Sequence, residues 1–105
     1  MITDEIFQNL RTLDQNLTEN QFTTRYLKTS RSYLCNRRNR QRDVSNDVLL
    51  SLYAELSGIG STWQQMADTE DNDRTRDRWK QNAQAYTHMA EQVLHQIADR
   101  SRQQA

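Results

Sequence analysis

Between Asn20 and Arg42 the chain carries Arg25, Lys28, Arg31, Arg37, Arg38, Arg40 and Arg42 and not one acidic residue. These are half of its fourteen basic residues, so the formal net charge of zero conceals a basic segment set against a remainder with seven basic and fourteen acidic residues. Charge separated in this way favours a polyanionic partner, because clustered cations attract phosphates and release counterions on contact. Phe22, Tyr26, Leu27, Tyr33 and Leu34 interleave with the cations, which lets the segment fold as two short packed helices.

On a helix beginning at Arg31, Ser32, Asn36, Asn39 and Arg40 fall opposite Leu34. Asparagine pairs bidentately with adenine and arginine with guanine, so these positions are candidates for reading bases in a DNA groove. Lys28, Thr29, Ser30 and Arg31 near the turn suit phosphates, with Arg25 on the same segment. Arg37, Arg38 and Arg42 add affinity without sequence preference. The run Asn36–Arg42 also matches arginine-rich helices that insert into structured RNA, and an acidic protein is a third class of partner for the same basic face.

Catalytic chemistry finds little footing. His88, Glu91 and His95 sit on one side of a helix, away from its apolar seam, and read as solvated residues rather than metal ligands. The acidic Asp68–Asp73 run lacks the glycine of a calcium loop and has Trp79 where its bidentate glutamate belongs. Cys35 is the only cysteine and reads as a small packing residue. The expectation is therefore no enzyme, no cofactor and no metal.

The elements that must position the basic face are helical, since proline is absent and only Gly58 and Gly60 interrupt a sequence of helix formers. The pattern predicts an all-α fold of five to six helices: an N-terminal bundle followed by a long C-terminal helix. Thr3 is expected to cap the first helix. Thr18 with Gln21 forms a capping box for the second, which runs to about Leu27, and Arg31 begins the third. Ser45 caps a fourth ending near Ser57 with Gly58 as its terminator, Ser61 and Gln64 cap a short turn, and Thr69 caps a last helix from about Glu70 to Arg102. Residues 1–60 then form the DNA-binding unit and residues 61–105 a dimerisation region, unless both make one compact domain.

Leu, Ile, Val and Phe number only nineteen, a lean supply for a domain of this size. A homodimer is the expected remedy. Trp79, Ala83, Tyr86, Ala90, Val93 and Ile97 follow a heptad-like spacing that Met89 and Leu94 widen, giving the final helix a stripe for a second copy. No apolar run is long enough to span a bilayer and the start lacks the pattern of a signal peptide, so a cytoplasmic location is expected.

Phe22–Leu27 as a supporting helix, Ser30–Asn36 as a recognition helix and Val44–Leu56 as a closing helix resemble the phage-repressor (Cro/C1-like) class of helix-turn-helix proteins. The resemblance covers about a third of the chain and implies sequence-specific DNA binding by a small dimeric transcription regulator. Thr23 and Leu27 or Lys28 stand where that class carries Ala-x-x-x-Gly, and Arg37 where it buries an aliphatic residue. The pattern Phe22-Thr23-x-x-Tyr26-Leu27 followed by Ser30-x-Ser32-Tyr33 is also similar to a group of small uncharacterised bacterial proteins.

Overall fold

Helix-forming residues dominate from end to end, and the structure, a computed structural model, is all-helical. It describes residues 1–104, Gln104 by its backbone alone. In chain order the helices are α1 (Ile2–Leu13), α2 (Glu19–Gln21, continued by a π-helical stretch, Phe22–Tyr26), α3 (Tyr33–Asn39), α4 (Asn46–Asp68) and α5 (Asp73–Gln104). No described residue lies in a strand.

The first helix starts at Ile2, ahead of the expected cap, because Thr3 lies on the buried stripe with Ile6, Phe7 and Leu10. Burial of that face overrides the hydroxyl's preference for a helix end and leaves Thr3 Oγ1 without a hydrogen-bond partner. The capping box of α2 is formed: Gln21 N–H donates to Thr18 Oγ1 at 3.2 Å and Thr18 N–H to Gln21 Oε1 at 3.1 Å. Beyond it the coil widens, with Leu27 N–H donating to the Phe22 carbonyl at 3.2 Å and Thr29 N–H to the Thr23 carbonyl at 3.2 Å. The wider turn buries Phe22, Thr23 and Tyr26 together. Phe22 stacks on Phe7 with centroids 5.2 Å apart, and burial pushes the Tyr26 hydroxyl up to about 12.

Two features of the middle of the chain differ from the expectation. Arg31 and Ser32 belong to the connection, since α3 begins at Tyr33. Cys35 is exposed rather than packed, because Leu34 alone of α3 is fully turned into the core. The helix ends in a Schellman motif: Gln41 N–H donates to the Arg38 carbonyl at 3.0 Å and Arg42 N–H to the Arg37 carbonyl at 2.9 Å. Lys28 and Gln41, at φ 58° and 54°, supply the left-handed residues at the two turns that bracket α3.

Ser45 caps α4, its hydroxyl accepting from Val48 N–H at 3.4 Å. That helix does not stop at Gly58. It runs to Asp68, neither glycine has positive φ, and packing along α5 outweighs the roughly 1 kcal/mol that each mid-helix glycine costs. A Cβ on Gly60 would lie 3.0 Å from Thr87 Oγ1 and 3.4 Å from the Ala83 carbonyl, so this glycine permits the close approach of α5. The expected division after residue 60 thus falls inside a continuous helix, and the Ser61–Gln64 box does not form. Thr69 closes α4 through Met66 O at 3.1 Å, and Asn72 caps α5 by accepting from Thr75 N–H at 3.1 Å.

The α4–α5 pair is an antiparallel hairpin. Its core holds Val48, Leu49, Leu52 and Leu56 from α4 and Ala83, Tyr86, Met89, Ala90 and Val93 from α5, with α1 and α2 laid over its open end. The stripe expected to meet a second copy is therefore filled within one chain: Trp79 and Ile97 are half-buried, and only Leu94, 46% exposed, still faces water. A four-residue connection closes the hairpin locally, so α4 reaches that stripe before any partner can.

Candidate nucleic-acid interface

The seven cations of the basic segment separate into two groups once the chain is folded. Arg38 is a clamp across three helices, its guanidinium 2.5 Å from Asp4 Oδ1 on α1 and 2.8 Å from Glu19 Oε1 on α2. Burial would raise the Asp4 carboxyl, but the Arg38 hydrogen bond and charge hold it below the usual aspartate range. Lys28 Nζ lies 3.4 Å from Glu55 Oε2, and Arg25 Nε is 3.9 Å from Glu55 Oε1 while its guanidinium covers the Tyr26 ring at 5.4 Å. These three cations fasten the N-terminal helices to one another and to α4.

Arg31, Arg37, Arg40 and Arg42 have no acidic partner among the described residues. Three of them converge. The left-handed turn at Gln41 reverses the chain after α3, so that Arg37, Arg40 and Arg42 line one cleft of about 400 Å³ with Ser30, Tyr33 and Asn36. Tyr33 is its fixed point: the hydroxyl accepts from Ser45 N–H at 3.2 Å and from Arg37 Nε at 3.2 Å. The Arg37 guanidinium also sits 5.2 Å over the Tyr33 ring. Burial raises this phenol, yet the two donated hydrogen bonds and the Arg37 charge outweigh it and hold the hydroxyl below the ordinary tyrosine range.

The other candidate residues lie around this cleft. Ser32, Asn36, Asn39 and Arg40 are exposed on the side of α3 away from buried Leu34. Arg31 is exposed in the turn. The Asn39 amide donates to Cys35 Sγ at 3.8 Å. Ser30 and Ser32 hydroxyls are 3.4 Å apart. Thr29 differs in role: its backbone N–H and its hydroxyl both donate to the Thr23 carbonyl, so it ends α2.

Arg38, read from sequence as adding affinity without sequence preference, is engaged at a partly exposed surface by two carboxylates. Sequence spacing carries no signal for that clamp, because Asp4 and Glu19 are 34 and 19 residues away from it. Nor does it mark Tyr33 as a polar anchor, since a tyrosine on an amphipathic helix reads first as core. His88, Glu91 and His95 are exposed on α5.

The fold and site define a small helical protein that presents one short helix, free of acidic side chains on its exposed face, beside an arginine-lined cleft. The chain belongs to a family of unknown function, DUF6626, which it matches over residues 3–105. No curated protein and no solved structure matches it. No helix among the described residues is long and apolar enough to cross a membrane.

Proposed function

We propose that the chain binds duplex DNA through α3 and serves as a small transcription regulator. The observation that carries this reading is the division of labour among the basic residues. Arg25, Lys28 and Arg38 hold the helices together, while Arg31, Arg37, Arg40 and Arg42 are left around an exposed face that also bears Ser32, Asn36 and Asn39. A structural role alone gives no reason to gather three arginines without acidic partners at one cleft.

Two further features support it. The helices α2 and α3 are short and joined by the six-residue stretch Leu27–Ser32, and the exposed side of α3 is left free to enter a major groove. Both turns that bracket α3 use a strained left-handed residue with a long polar side chain, Lys28 and Gln41, where glycine would be less costly. On this reading Asn36 and Asn39 meet base edges, and the cleft of Arg37, Arg40 and Arg42 grips a backbone phosphate. Docking of α3 through Leu34 and Arg38 leaves one side of that helix free, which suits a groove better than an RNA pocket that surrounds the helix.

Fluorescence anisotropy with duplex DNA, hairpin RNA and single strands across a salt series tests the reading. Duplex binding should fall steeply with salt, and Arg40→Ala or Arg42→Ala should each reduce the log–log slope by about 1. Asn36→Ala should relax sequence preference at a cost of about 1–3 kcal/mol. A folded protein that ignores duplex DNA at low salt, or that prefers hairpin RNA, overturns the proposal.

A further inference from the structure

Every side chain that lines the cleft of Arg37, Arg40 and Arg42 offers a hydrogen-bond donor, and none is acidic. Its volume of about 400 Å³ falls within the range of small-ligand sites. The acid that adjoins Arg42 in the chain, Asp43, is kept from it by the fold. Arg100, near the end of α5, pairs with Asp43 Oδ2 at 2.9 Å and donates to the Val44 carbonyl at 2.7 Å and to Asn46 Oδ1 at 3.0 Å. Asp43 Oδ1 accepts from Val44 N–H at 2.8 Å. Both oxygens of that carboxylate are thus engaged by groups outside the cleft lining, and the three arginines stay unopposed.

The cleft is also set before any ligand enters. Gln41, at φ 54°, turns the chain so that Arg42 N–H donates to the Arg37 carbonyl at 2.9 Å, which fixes the two residues beside one another. Arg100 fastens the segment that carries Ser45, whose N–H donates to the Tyr33 hydroxyl at 3.2 Å. That hydroxyl in turn accepts from Arg37 Nε at 3.2 Å, so the terminal nitrogens of Arg37 are left for a ligand. Guanidinium groups held in place lose little freedom when an oxyanion arrives.

Charge decides which oxyanion. A backbone diester brings one negative charge and leaves two of three guanidinium charges unmatched. A phosphate monoester brings about −1.5 to −2 at pH 7, with three acceptor oxygens suited to the bidentate bonds that arginine makes. We infer that the cleft is a binding site for a phosphate monoester, held by Arg37, Arg40 and Arg42. This rests on the reading of the cleft as a phosphate grip and narrows it: the backbone diester enters the same place as the weaker ligand, and the two exclude one another.

Calorimetric titration at low salt, with no duplex DNA present, tests it. Adenosine 5′-monophosphate should bind with a Kd below about 1 mM, at least tenfold tighter than adenosine 3′,5′-cyclic monophosphate, which keeps the nucleoside but holds only a diester. Arg42→Gln and Arg40→Gln, both at exposed positions, should each weaken binding about tenfold. Arg74→Gln, the same loss of charge at an exposed position near the start of α5, should change nothing. A second arm separates the sources of the monoester by comparing a single-stranded oligonucleotide bearing a 5′-phosphate with the same strand bearing a 5′-hydroxyl. Binding of adenosine 5′-monophosphate supports a free ligand, and a gain for the phosphorylated strand alone supports a strand end. Equal affinity within both pairs, an affinity that Arg40→Gln and Arg42→Gln leave unchanged, or an equal loss in Arg74→Gln overturns the inference. Duplex binding without any monoester preference leaves the DNA reading standing alone, and a monoester preference in a protein that ignores duplex DNA leaves only the inference.

Discussion

The same two helices, α4 and α5, behave as two different objects along their length. In the half covered by α1 and α2 the seam between them is built from Leu49, Leu52, Leu56, Tyr86, Met89 and Val93, all buried. In the uncovered arm it shrinks to Gly60, Ala67 and Ala83, and the bulky residues move to the flanks. Large side chains sit in the seam only where a third layer closes over them. Where there is none, close backbone approach between small residues does the packing, and apolar bulk is left to face outward.

The largest test of that contrast is a core truncation. Leu52 is fully buried in the covered half, so Leu52→Ala should cost about 2–5 kcal/mol, the lost transfer energy plus the cavity. Met66→Ala in the uncovered arm should stay within about 0.5 kcal/mol when both are measured by urea unfolding. Equal losses would mean that the arm is as well packed as the covered half.

Periodicity made the covered half legible in the sequence, and left the arm obscure. The stripe Leu49, Leu52, Leu56 and the stripe Ala83, Tyr86, Ala90, Val93 are both visible as helical spacing. Their mutual pairing is not, because a stripe does not say whether its partner is in the same chain. The two glycines misled for a related reason. Gly58 beside Gly60 looks like a helix end, yet Gly60 is there to admit α5 and Gly58 simply continues the helix. At the site, the exposed face of α3 followed from Leu34 and a helical wheel. Sorting Arg38 from Arg37 did not, since it depends on carboxylates of α1 and α2 that only folding brings near.

The glycines give the second, intermediate test. A Cβ at Gly58 meets nothing within 4 Å, so Gly58→Ala should stabilise the helix by about 0.5–1 kcal/mol. Gly60→Ala should gain less, because Thr87 Oγ1 at 3.0 Å must move aside. Thermal melts of both variants in a Thr87→Ala background should bring the two values together. A Gly60→Ala variant as stable as Gly58→Ala without that change would show that close approach of α5 does not constrain the arm.

The smallest effect concerns how the covering layer is attached. Asp4 and Glu19 reach Arg38 at a partly exposed surface, where ion pairs contribute about 0–1 kcal/mol. The Asp4 carboxyl is held below its usual value when folded, so its contribution is fully present above the unfolded aspartate pKa of about 3.9 and is lost as pH falls through the lower folded value. In Arg38→Met the main opposing influence, burial of the carboxyl, acts with less resistance and the Asp4 pKa should rise. Carboxyl-carbon NMR titration of both proteins measures that rise directly. Unfolding at pH 7 should show a small loss in the variant that shrinks towards zero below about pH 3. An Asp4 titration unchanged by Arg38→Met would remove the clamp from the account and leave Phe7, Phe22 and Leu34 to fix the covering layer on the hairpin unaided.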